Sequence, residues 1–249
     1  MTFQPNQGEG GLGQPVEASD GRPLAQPRRD PLAAAQVQGA YLTQAFFWMF
    51  AGLLLTAGVA AAVTLNPSLQ KLAINNVFPV IVAQLALVLV ISFGIRRLNA
   101  TAALGLFFVY AANLGLTIGI IVLAYNGASV ATAFFSASAM FGGAALYGYT
   151  TKRSLATIGS YASMAVFGLV VAMIVNIFVG GTTFNLIISV VGVVLFTVLT
   201  AYHVQRIANG SLAVVTGSTE KAAVIGALLL YLDFVNLFLF LLRLFGGRR

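Results

Sequence analysis

Seven long apolar runs, at about 41–64, 78–95, 100–124, 128–149, 155–179, 184–204 and 222–245, decide what this chain can fold into. A helix rises 1.5 Å per residue, so crossing a hydrocarbon core of about 30 Å takes about 20 residues. All seven runs come close to that length, and the second is the shortest. A segment in lipid must satisfy its own backbone hydrogen bonds. Runs this long, rich in Leu, Ala and Phe, do so as helices and not as barrel strands. Composition points the same way. Only 8% of the residues are charged and 59% are hydrophobic, whereas an ordinary soluble domain is about 25% charged. So few charges could not cover a soluble surface. The sequence predicts an all-α integral membrane protein of about seven transmembrane helices, occupying 41–249. Residues 1–40 are rich in Gln, Gly, Pro and Ala and read as a disordered tail. They show neither the basic start nor the apolar core of a secretory signal.

The net charge of +7 is a topology signal and not a nucleic-acid signal, because the basic residues cluster at the ends of apolar runs. Arg22, Arg28 and Arg29 precede the first run, Arg96 and Arg97 follow the second, and Lys152 and Arg153 follow the fourth. Arg206 and Lys221 border the loop before the seventh. Those nine lie on one side; the other has Lys71, Arg243, Arg248 and Arg249. The N-terminus is therefore expected in the cytoplasm. A seventh full span puts the basic C-terminus outside, and a last run that re-enters returns it.

Side-chain chemistry is sparse. Without cysteine, disulfides and thiolate chemistry are excluded, and one histidine excludes a multi-histidine metal site. No phosphate loop is present, and serine–histidine catalysis lacks an orienting acid close in sequence. The chain is expected to be no enzyme, with no cofactor and no metal centre. After residue 40 the only acids are Glu220 and Asp233. Asp233 lies about halfway along the last run. An ionised carboxylate in lipid is costly, so it is expected to face the bundle interior and serve ion or proton movement. The alternative is an aspartate that only ties helices together. Asn236 and Arg243 fall within about 80° of it on a helical wheel and extend a polar stripe. His203, beside Tyr202, Gln205 and Arg206, ends the sixth run, and Thr200 shares its face. Histidine ordinarily titrates near neutral pH, so contact with Asp233 would make a pH-sensitive pair. Tyr110, Asn113 and Thr117 share a face of the third run, and Asn176 lies in the fifth; interhelical hydrogen bonding is favoured over a hydrated path. Gly115, Gly119, Gly142 and Gly143 suggest close helix packing. Tyr41, Trp48, Tyr147, Tyr149 and Tyr202 sit near run ends, where aromatic rings mark the headgroup level.

Three segments resemble one known family. Tyr231–Gly246 reads Y-L-D-F-V-N-L-F-L-F-L-L-R-L-F-G, Leu146–Leu155 reads L-Y-G-Y-T-T-K-R-S-L, and Leu199–Ile207 reads L-T-A-Y-H-V-Q-R-I. Together with the seven runs these resemble the Bax inhibitor-1 family of transmembrane BAX inhibitor motif proteins, over roughly residues 28–249. The resemblance implies a bundle whose last helix is central and wrapped by the other six. It also implies a pH-responsive calcium leak channel, gated by one carboxylate on the sixth helix and one on the seventh. The seventh-helix aspartate maps onto Asp233, and an arginine that latches the sixth-helix carboxylate maps onto Arg96. The sixth-helix position departs from the family: where Tyr-Asp is usual, this chain reads Tyr202-His203. Ser154 is a second departure, replacing an aspartate of bacterial relatives. The resemblance also leaves a second reading: a non-conducting protein that regulates a membrane complex such as a protease. The expected partners are the lipid bilayer, calcium or another cation, and in the second reading a membrane protein.

Overall fold

The structure, a computed structural model, describes residues 31–95 and 97–246, with side chains from Gly39 onward. The tail up to residue 30 and Arg96 lie outside the described residues. The chain divides into two units, Met1–Gln36 and Val37–Arg249. Every helix beyond the first turns of α1 belongs to the second unit.

Among the described residues nine helices form: α1 (Pro31–Leu65), α2 (Pro67–Asn75), α3 (Val77–Gly94), α4 (Ala100–Leu123), α5 (Gly127–Thr150), α6 (Ala156–Val179), α7 (Thr182–Ala208), α8 (Ser211–Thr216) and α9 (Thr219–Phe245). Seven are long and apolar enough to span a membrane, that of α1 counting from Gly39. The helices start where the sequence supplies caps. Asn66 accepts hydrogen bonds from Ser68 and Leu69 N–H ahead of Pro67, and Asn99, Asn126 and Ser218 cap α4, α5 and α9. A side-chain oxygen at that position satisfies an N–H that the helix itself cannot. Between α6 and α7 the chain turns on Gly180 and Gly181, at φ 66° and 117°, a region that a side chain would penalise.

The two short helices are absent from the sequence expectation. Turn-forming Asn, Pro and Gly residues flank both, and neither is long enough to show a membrane period. The predicted seventh run begins three residues late, because the polar first turn of α9 carries Thr219, Glu220 and Lys221. Helix α9 is continuous, so it can cross the bilayer without re-entering.

Burial ranks the spans. In the apolar stretch of α9 78% of residues are buried, against 6–44% in the other six. Helices α4, α5 and α7 pack directly on α9, and α1 reaches it through Thr56 and Tyr231. Helix α3 packs chiefly on α4, and α6 chiefly on α7. The bundle is thus a central helix, an inner ring and two outer helices. Aromatic contacts fill the ring: Phe234 meets Phe134 and Phe141 of α5 edge-on, and Phe240 stacks on Phe196 of α7. Trp48 of α1 meets Phe108 of α4 edge-on at 6.0 Å between ring centroids. Tyr41 is buried in the core, whereas Tyr147 and Tyr149 are exposed.

Close approach is concentrated at a few glycines. A Cβ on Gly115 would lie 2.7 Å from Val59 Cβ of α1, and one on Gly119 2.7 Å from Val63 Cβ. Gly142 and Gly143 meet nothing within 4 Å, contrary to the packing role expected for them. On the same helix Gly148 does that work, lying against the Ala201 carbonyl of α7. Gly148→Ala would push a methyl into backbone that cannot swing aside, a strain of about 1–3 kcal/mol. Thermal unfolding in detergent is expected to show a lowered midpoint for Gly148→Ala and none for Gly142→Ala. Equal midpoints would contradict the tight α5–α7 contact.

Candidate functional site

The centre of the bundle contains one acid and one base. Helix α9 carries Asp233 near its middle, and α7 brings His203 near its C-terminal end. His203 Nδ1 lies 2.6 Å from Asp233 Oδ2, and the two atoms share a proton. The residues are 8% and 2% exposed, which puts the pair out of contact with bulk water. Among the described residues they are the only buried members of the Asp, Glu, His, Lys and Arg set. Glu220, the other acid beyond the tail, is exposed in the first turn of α9.

Burying a lone carboxylate costs several kcal/mol. A partner at hydrogen-bond distance removes most of that cost, and the proton then belongs to the pair and not to either residue. Neutral carboxyl with neutral imidazole, and carboxylate with imidazolium, have the same net charge of zero. Two carboxyls sharing one proton would instead carry minus one. The histidine therefore changes the charge at the centre of the bundle by one unit.

A second polar cluster occupies another face of α9. Thr56 of α1 donates to the Ala111 carbonyl of α4 at 2.9 Å, and its oxygen lies 2.6 Å from the Tyr231 hydroxyl. With the threonine proton committed to Ala111, Tyr231 donates to Thr56. Tyr231 is also ringed edge-on by Phe107 and Tyr110. The cluster joins α1, α4 and α9 at the level of the acid–base pair. Beside it runs an apolar cavity of about 490 Å³ between α1, α5 and α9, lined by Ala57, Phe134, Phe234 and Phe238. Its lining reaches Phe234, one residue short of Asp233, and holds no ionisable group.

The stripe expected on α9 does not form. Asn236 donates to the Leu232 carbonyl of its own helix. Arg243 is exposed, with its guanidinium 5.8 Å from the Phe240 ring centroid. It lines a separate cavity of about 200 Å³ with Tyr125, Thr182 and Asn185. Wheel angles place these residues near one face, but 15 Å of rise separates Arg243 from Asp233 at roughly 1.5 Å per residue. Thr200 is buried and donates to the Phe196 carbonyl, closing a turn of α7. Asn113 donates to the Val80 carbonyl of α3, and Thr117 to Gln84. Asn176 donates to Asn185. The bonds of Asn113, Thr117 and Asn176 tie neighbouring helices together. Arg96, expected as a latch, lies outside the described residues.

Thr56 and Gln84 escaped the sequence reading, and Gln205 was read only as a neighbour of His203. Each is a polar side chain inside or at the end of an apolar run, and in lipid such groups seek partners on other helices. Gln205 bonds the α5–α6 connection through both ends of its amide.

Fold and site together define a seven-span integral membrane protein with a buried acid–base pair at its centre. The family model described as inhibitor of apoptosis-promoting Bax1 matches residues 38–249. The chain belongs to the Bax inhibitor-1 family. The inner membrane protein YbhL of Escherichia coli K12 is 42% identical over 215 residues, covering 84% of this chain and 92% of that protein. An uncharacterized protein of Deinococcus radiodurans is 44% identical over 209 residues, covering 84% and 90%. Protein YrjE of Lactococcus lactis is 37% identical over 211 residues, covering 83% and 90%.

The pairing itself is open to a stability test. His203→Leu leaves the Asp233 carboxyl buried without its partner and is expected to cost about 1–3 kcal/mol. Replacing both residues, His203→Leu with Asp233→Leu, is expected to cost less than the sum of the single changes. A double-mutant cycle on unfolding midpoints measures the coupling. Strict additivity would mean that the two side chains do not interact.

Proposed function

We propose that the protein is a pH-responsive cation leak channel of the Bax inhibitor-1 type, with the His203–Asp233 pair holding its closed state. The observation that carries this reading is the 2.6 Å contact between the buried acid and the buried histidine of the bundle. A carboxyl held inside a membrane domain serves ion or proton movement more readily than architecture. Its partner is the one side-chain type whose ordinary titration falls near neutral pH. Protonation and deprotonation move the pair between net charges of plus one, zero and minus one. A cation passes the pair most easily in its negative state. Calcium is the cation to test first. On this reading the chain works as a channel and not as an enzyme.

Location follows the same reading. The relative YbhL is named an inner membrane protein, and the nine basic residues of one side support a cytoplasmic N-terminus in a plasma membrane.

Purified protein in liposomes tests the proposal. Asp233→Asn is expected to lower calcium flux about tenfold, a factor equivalent to roughly 1.4 kcal/mol. Equal flux in wild type and Asp233→Asn removes the pore role. His203→Asp replaces a pair of net charge zero with one of minus one. It is expected to raise cation flux and displace its pH profile. An unchanged profile takes His203 out of the gate. If the wild type conducts no ion under any condition, regulation of a partner complex becomes the leading function.

A further inference from the structure

Helix α7 is held from behind at the level where it presents His203. Ala201 and Gln205 lie about 160° to 200° around the helix from His203, so they face away from α9. Ala201 lies against Gly148 of α5, and the neighbouring Tyr202 ring lies on Gly159 of α6. A Cβ at either glycine would collide with α7, so neither helix can come closer. Gln205 adds a polar fastening. Its Oε1 accepts from Leu155 N–H at 2.8 Å, and its Nε2 donates to the Arg153 carbonyl at 2.8 Å. Both partners are backbone groups of the α5–α6 connection.

Within that connection the side-chain bonds are long: Arg153 N–H to Thr151 and Ala156 N–H to Ser154, each at 3.4 Å. Leu155 occupies the N-cap position of α6 and makes no side-chain cap. The amide of Gln205 therefore satisfies from α7 the N-cap N–H, which a Glu or Gln at the third helical position would otherwise satisfy locally. One face of α7 binds the connection and the opposite face binds Asp233. Any movement that parts His203 from Asp233 by withdrawing α7 must carry the connection along or break both amide bonds.

We infer that Gln205 is a positioning residue: it fixes α7 in the register that closes the His203–Asp233 pair, and it ties that pair to the basic α5–α6 connection. The inference rests on the channel reading only for its flux prediction. Glycine contacts set how near α7 stands to its neighbours, while the hydrogen bonds, being reversible, set whether it stays there. The connection carries Lys152 and Arg153, both exposed, so a load on these side chains reaches His203 through one glutamine.

Other ionisable groups near His203 are few. Tyr202 and Arg206 lie on α7, Tyr231 on α9 and Tyr41 on α1. The buried faces of α5, α6 and α8 bring none among the described residues. Tyr231 is engaged by Thr56. Asp233 is therefore the group that His203 reports on.

The chain has one histidine, so ¹⁵N-histidine labelling gives a signal from this site alone. The experiment compares wild type, Gln205→Leu and Gln205→Glu in lipid nanodiscs across a pH series, with calcium flux measured in liposomes. Gln205→Leu removes both bonds at nearly constant size. It is expected to move the His203 Nδ1 resonance and its titration, and to raise resting flux about tenfold. Gln205→Glu keeps the acceptor for Leu155 N–H and loses the donor to Arg153, so an intermediate effect is expected. If Gln205→Leu does not reach the folded state, Gln205→Glu carries the comparison. A wild-type Nδ1 resonance and titration in a folded variant overturns the inference, even if its unfolding midpoint falls. A resonance that moves while wild type conducts nothing supports the positioning role and rejects the channel.

Discussion

Helices in hydrocarbon gain little by hiding leucines from one another, because the lipid is as apolar as the protein. What holds them together is close packing and the hydrogen bonds that close packing permits. This constraint explains why so few positions matter. Gly115 and Gly119 seat α4 on α1, Gly148 and Gly159 seat α5 and α6 on α7, and Gly192 makes room for the Phe240 ring of α9. Each removes a Cβ where two backbones, or a backbone and a ring, must meet. The polar ties follow at the same seams: Thr56 with Tyr231 and Ala111, Asn113 with Val80, Gln205 with the α5–α6 connection. Helix α9 can be almost wholly enclosed because its neighbours approach this closely.

Enclosure of α9 sets the chemistry of its one acid. Asp233 is far from water, so its charge state is decided by what α7 places beside it. A second carboxyl there would keep a negative charge in the bundle; His203 makes a pair that is neutral overall. A single side chain on α7 thus sets the net charge at the centre of the bundle. On its far side the same stretch of α7 meets Gly148 of α5 and Gly159 of α6. Two residues of α7 thus face opposite ways, His203 to Asp233 and Gln205 to the exposed α5–α6 connection.

The spans were legible because the membrane demands length and apolarity, and both can be read directly from residues. Asn99, Asn126 and Ser218 cap three of the helices, a local signal that the reading of the apolar runs did not use. Partner choice was not. Asp233 and His203 lie on different helices, and nothing local to either names the other; family resemblance supplied that link. Wheel geometry misled for Asn236 and Arg243, since it records angle and ignores distance along the axis. It gave no warning that Asn236 would bond its own helix. Glycine frequency misled in a similar way: Gly142 and Gly143 face outward, while Gly148 on the same helix meets α7. The bonds of Gln205 were invisible because both of its partners are backbone atoms, which carry no sequence signal. The short helices α2 and α8 hid among turn residues.

Trp48 lies at the seam between α1 and α4, its ring edge-on to Phe108, and the chain contains no other tryptophan. Its intrinsic fluorescence is therefore a built-in optical probe of that seam. A shift in emission wavelength would register any loosening of the first span from the third, in native lipid and without a dye.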